Sequence, residues 1–167
     1  MQYTSAQANK LLKKLQEDHG NLLAQESMSR TFVAATIEDP EEARPTYSYA
    51  ETQRQLEELE GQIRHVKHCI NTFNLTHEVE GFGMTVDQML VYIPQLSSRK
   101  AKLGAMAMTL EKNRLGGSAR ANIIEYEYAN YDVAQAAADY AAVSDELARA
   151  QLALDRLNNA ETMEIEL

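Results

Sequence analysis

Apolar residues recur along this chain at helical spacing in four long stretches, and each stretch opens on the same local signal. Thr4/Gln7, Ser48/Glu51, Thr85/Gln88 and Asp132/Gln135 each place a capping residue three positions before a glutamate or glutamine. A cap side chain accepts from an orphan backbone N–H, and the residue at N3 reaches back to the cap's own N–H. The pattern predicts helices over about 5–28, 49–74, 86–113 and 133–158.

The second helix carries a clear seam. Leu56, Leu59, Ile63, Val66, Ile70 and Phe73 are spaced 3, 4, 3, 4, 3, the a/d pattern that packs knobs into holes on a neighbouring helix. The fourth helix repeats it with Val133, Ala136, Tyr140, Val143, Leu147, Ala150, Leu154 and Leu157. In the third, Val86, Met89, Ile93, Leu96, Lys100, Leu103, Ala107 and Leu110 form the seam, with Pro94 expected to kink the helix and Lys100 to set register or snorkel to solvent. Lys112 and Arg114 before Gly116-Gly117 read as a helix C-terminal ending. In the first, Leu11, Leu12, Leu15, Leu22 and Leu23 share a face that His19 and Gly20 interrupt.

Between the helices the period changes. Residues 31–37 are β-branched enough to read as a strand, and 121–128 and 162–167 alternate apolar with polar. Residues 38–45 form an acidic loop bounded by prolines, and 75–83 a connector with glycines at 81 and 83. The expected fold is mainly α (α+β): four long antiparallel helices of about 35–40 Å forming a bundle or coiled-coil core, with a small β-sheet or hairpin from 31–37, 121–128 and 162–167. The 167 residues are expected to form a single domain, 1–167, long enough to bury a core.

The net charge of −9 argues against a nucleic-acid binder, which needs clustered Lys and Arg. The charge is uneven, however. Residues 38–60 hold eight acids against Arg44 and Arg54, whereas 99–120 hold six bases against Glu111 alone, a stretch that could touch an anionic partner. The lone Cys69 fits a reducing compartment. No signal peptide and no apolar run long enough to span a membrane are visible, so a cytoplasmic protein is expected.

Candidate chemistry is sparse. His65, His68 and Cys69 are neighbours on one helix surface and are candidate metal ligands, but the seam turns the histidines outward and no fourth ligand is local. Glu125 and Glu127 could share a sheet face with Glu164 and Glu166, which would call for a cation or water beside them. Phosphate-binding glycine loops, nucleophile elbows and zinc-protease motifs are absent from the sequence. The expectation is no enzyme and no cofactor.

Ile70-Asn71-Thr72-Phe73-Asn74, followed by Met84-Thr85-Val86-Asp87-Gln88-Met89-Leu90, resembles a pattern of the septicolysin-like family of small bacterial proteins. There an I-N-x-x-N element ends one helix and T-[LV]-x-x-x-L opens the next. The strand 123–128 leading into Tyr131-Asp132-Val133-Ala134 and the last helix is similar to that family's ending. The resemblance implies a helical fold without an assigned function and carries over no catalytic residues, although the family name suggests a membrane-active cytolysin. It singles out Asn71, Asn74 and Thr85 as possible ligand or partner contacts.

The reading therefore converges on a non-enzymatic helical protein that self-associates, as a homo-oligomer, scaffold or protein-interaction module. The alternatives are a small-ligand or metal site at the strand end of the bundle, using Asn71, Asn74, Glu125 and Glu127, and a membrane-active protein.

Overall fold

The computed structural model describes residues 1–115 and 124–167. In chain order the elements are β1 (Gln2–Thr4), α1 (Ser5–Ser29), α2 (Pro40–Ala43), α3 (Tyr49–Thr76), β2 (Glu78–Val79), β3 (Met84–Thr85), α4 (Val86–Ala107), β4 (Lys112–Arg114), β5 (Tyr126–Tyr128), α5 (Val133–Ala160) and β6 (Thr162–Glu164). The fold is mainly α, with a helical core and small antiparallel strand pairs. No described helix is long and apolar enough to cross a membrane.

The caps act as the sequence predicts. Thr4 and Thr85 close full capping boxes, each with its own backbone N–H given to Gln7 or Gln88 at 2.9 Å. Ser48 and Asp132 accept from the backbone N–H of Glu51 and Gln135, at 3.5 and 3.0 Å. Their N3 side chains are engaged elsewhere: Glu51 receives Arg54 and Gln55, and Gln135 donates to Asp139.

The chain divides into two compact units, Met1–Thr76 with Leu157–Leu167, and His77–Arg156. In the first unit α1 packs against α3. Contacts from His19 to Glu60 and from Glu26 to Gln53 run in opposite directions along the two helices, so the pair is antiparallel. Strand β1 pairs with β6, Tyr3 opposite Met163. The Met1 ammonium and carbonyl extend that ladder to Ile165. Ala8, Leu15, Leu56, Val66, Ile70, Phe73, Met163 and Ile165 are buried here.

In the second unit β2 and β3 form a hairpin whose turn needs positive φ at Gly81 (82°) and Gly83 (58°), a conformation open to glycine at little cost. Its end caps α4 directly. Helix α4 runs antiparallel to the unit's portion of α5: Tyr92 reaches Glu146, Lys100 reaches Tyr140, and the Tyr131 hydroxyl donates to the Met106 carbonyl at 2.8 Å. Val79, Val86, Met89, Leu96, Ala136, Val143, Leu147, Ala150 and Leu154 are buried. Lys100 is half-buried, its ammonium 5.9 Å from the Tyr140 ring centroid. That ring lies against Gly104, where a Cβ would come within 3.1 Å of it. A small residue one turn beyond Lys100 makes room for the aromatic.

Tyr92 donates to the Glu146 carboxylate. That hydrogen bond first, and desolvation second, hold the phenol above the ordinary tyrosine range. Because the folded-state value is raised, the stabilisation is fully present below the ordinary tyrosine pKa of about 10 and is lost as pH rises from there through the raised folded-state value. Tyr92→Phe is expected to lower stability by about 1 kcal/mol at neutral pH and to flatten the alkaline decline. Denaturant titrations at a series of pH values check both.

Four expectations are corrected. Residues 31–37 form no strand: Ala35 and Glu38 close a turn through two hydrogen bonds, and no partner strand meets the segment among the described residues. Among the described residues the strands do not gather into one sheet but form three separate pairs, β1–β6, β2–β3 and β4–β5. The third helix stops at Ala107 rather than 113, because Thr109 turns back onto Met106 and Lys112–Arg114 enter a ladder with Tyr126–Tyr128. Lys112 and Arg114 therefore belong to a strand, not to a helix ending. Of the expected strand 121–128, residues 121–123 lie outside the described residues, as do Gly116, Gly117 and Arg120.

Candidate functional site

The α1–α3 pair changes character along its length. Ser5, Ala8, Leu12, Leu15, His19, Leu22, Glu26 and Ser29 keep strict heptad spacing and are all buried or half-buried, so His19 and Glu26 are seam residues. Toward the α1 C-terminus the seam is polar. His19 lies 3.4 Å from Glu60 on α3. Glu26 accepts from the Tyr47 hydroxyl and from Gln53, each at 2.8 Å. Desolvation first, and the bond to Glu26 second, push the Tyr47 phenol above its ordinary range. On the exposed side of α3, Arg54 grips Glu51 at 2.7 Å and holds that carboxyl below the usual carboxylate range.

Two adjoining grooves follow from this polar packing. One, of about 390 Å³, is lined by Asp18, Asn21, Leu22, Gln25, Gln55, Glu58, Leu59 and Gln62. The other, of about 200 Å³, shares Leu22, Gln25 and Gln55 and adds Glu26, Ser29, Tyr47, Glu51 and Thr52 among others. Amides and carboxylates dominate, so the lining suits hydrogen bonding to polar or cationic groups.

The residues singled out by sequence are scattered. His65 and His68 are exposed, Cys69 is half-buried, and His65 Nε2 lies 3.8 Å from Cys69 Sγ. No group of three or more His, Cys, Asp or Glu among the described residues could hold a metal ion. Asn71 is exposed and Asn74 half-buried, both near the end of α3. Thr85 serves as the α4 cap. Glu125 and Glu127 are exposed, and they do not face Glu164, because β5 pairs with β4 and β6 with β1.

The β4–β5 ladder assembles something the linear sequence hides. Lys112 lies opposite Tyr128 and Arg114 opposite Tyr126. The Lys112 ammonium sits 4.1 Å from the Tyr126 ring centroid and 5.5 Å from that of Tyr128, within cation–π range. Side chains directly opposite in an antiparallel pair share a face. One face therefore presents Lys112, Arg114, Tyr126 and Tyr128, and the other presents Asn113, Glu125 and Glu127. Every one of these residues is exposed. The matching period of two in K-N-R and Y-E-Y was the available signal, masked by reading 112–114 as helix.

No protein-family model matches the chain, and no curated protein does. Among solved structures, the chain is similar to a functionally unknown conserved protein from Corynebacterium diphtheriae. The two share 19% identity and a TM-score of 0.60, over 98% of this chain and 100% of that one. At that identity the likeness is one of fold.

Proposed function

We propose that this chain is a non-enzymatic, self-associating protein-interaction module. The supporting observation is the segment joining α1 to α2. Val33 is 95% exposed and Ile37 96%, with Met28 at 77% just upstream and Phe32 covered only in part, 5.5 Å from Arg44. Single exposed apolar residues need no explanation, but a run of them in one β-branched segment does. No described strand pairs with the segment, which is therefore placed to add to an extended strand, and a second copy offers an identical one. Burying a side chain such as valine or isoleucine contributes about 1.5–3 kcal/mol. The helix ending near Asn71 and Asn74 and the cap at Thr85 also support the septicolysin-like resemblance, which we keep as part of this reading.

Sedimentation velocity or light scattering at micromolar concentrations is expected to show concentration-dependent association. The double variant Val33→Asp, Ile37→Asp is expected to be monomeric with unchanged far-UV circular dichroism, since both residues are exposed. A wild-type chain that stays strictly monomeric overturns the proposal.

A further inference from the structure

We infer that the cationic–aromatic face of the β4–β5 hairpin is a docking surface for the acidic segment 38–42 of a second copy of this chain. The inference rests on the self-association reading and adds a second contact to that of the apolar segment.

The hairpin is charge-segregated. Lys112 and Arg114 stand with Tyr126 and Tyr128 on one face, and the register sends Glu125 and Glu127 to the other. Among the described residues nothing covers this arrangement, since both strands are exposed throughout. The sorting sets Lys112 over both tyrosine rings and leaves the same face exposed to a partner. Tyrosine and arginine are also among the residues that dominate protein interfaces, because each combines large contact area with polar reach. Ile124, exposed just before β5, falls on the same face by alternation and supplies an apolar edge.

The complementary surface lies in the first unit. Glu38-Asp39-Pro40-Glu41-Glu42 is exposed over its whole length and is held in shape by the short helix α2, with Asp39 capping it through the Glu41 N–H at 2.9 Å. It directly follows the apolar segment ending at Ile37. An apolar run leading into carboxylates matches a face on which tyrosine rings and Ile124 adjoin Lys112 and Arg114. Charge complementarity of this kind selects the partner and speeds encounter. A contact between two different surfaces occurs twice in a two-fold dimer and otherwise propagates head to tail.

The test uses the full chain and two charge-reversed variants, Lys112→Glu with Arg114→Glu, and Glu41→Lys with Glu42→Lys. Self-association of the wild type is expected to weaken by about tenfold or more when sodium chloride is raised from about 0.05 to 0.5 M. Each variant alone is expected to be monomeric with wild-type circular dichroism. An equimolar mixture of the two is expected to associate again, because it contains both the original contact and its charge-swapped counterpart.

Association of either variant at wild-type strength, or a mixture that remains monomeric, overturns the inference while leaving self-association through the apolar segment standing. A wild type that is monomeric under all conditions removes both. A labelled single-stranded oligonucleotide that binds the wild type and not the hairpin variant also overturns it, by assigning the face to nucleic acid. Absence of such binding supports the protein partner.

Discussion

Phe73→Ala is expected to lower the stability of the chain by about 3–5 kcal/mol. The ring sits near the end of α3 with 2% of its surface exposed, in the unit whose core holds Ala8, Val66, Ile70, Met163 and Ile165. Helix α3 packs there against both α1 and β6, so the truncation removes apolar burial and leaves a cavity between elements that each hold fixed positions. A loss of that size is a large part of the about 5–15 kcal/mol that holds a typical domain together. Chemical denaturation followed by circular dichroism measures it. Asn71→Ala, at an exposed position on the same helix, is the control and is expected to fall within about 0.5 kcal/mol of wild type. Equal effects from the two would place Phe73 outside the core.

The second large effect has the opposite sign. Pro94 lies inside α4, eight positions after its first residue Val86, where it has no N–H for the Leu90 carbonyl. An interior proline is about 3 kcal/mol less favourable than alanine in a helix. Pro94→Ala is therefore expected to stabilise the chain by about 1–3 kcal/mol, the range reflecting how far the native helix has already adapted. The residue is exposed, so the substitution opens no cavity. Thermal unfolding checks the sign. A fall in stability would mean that the local geometry imposed by proline is what seats Leu96, two residues on and 1% exposed, in its core position.

The helices were legible because their signals are local. Thr4, Thr85 and Asp132 cap where the spacing places them, and the seam from Leu56 to Phe73 is buried or half-buried at every position. The strands were not, because a two- or three-residue strand carries no period of its own and is defined by its partner. Gln2–Thr4 became a strand only because Thr162–Glu164 lies beside it. Residues 31–37 have the better strand composition and pair with no strand among the described residues. Lys112–Arg114 was read as a continuing helix because nothing in those three residues announces that Tyr126–Tyr128 will return to pair with them.

The candidate sites divide in the same way. The polar groove of α1 and α3 was hidden by treating His19 as an interruption of an apolar stripe. His19 and Glu26 hold the heptad register, and each finds a polar partner on or near α3. Seam position, rather than hydrophobicity alone, was the recoverable signal. Conversely, His65, His68 and Cys69 satisfied a spacing rule on one helix, but a metal also needs ligands from elsewhere, and none gathers among the described residues. Glu127 lies opposite Asn113 rather than beside Glu164, because β5 pairs with β4 and β6 with β1.

The pairing of β1 with β6 has a consequence for synthesis on the ribosome. The second unit, His77–Arg156, is contiguous in sequence, so all of its core is available once that stretch has emerged. The first unit begins earlier and finishes later: Met163 and Ile165 are part of its buried interior, and the Met1 ammonium meets the carbonyl of Ile165 across 164 positions. A nascent chain halted after Arg156 would hold α1 and α3 without Met163 and Ile165, so the first unit's core stays incomplete until residues 157–167 have emerged.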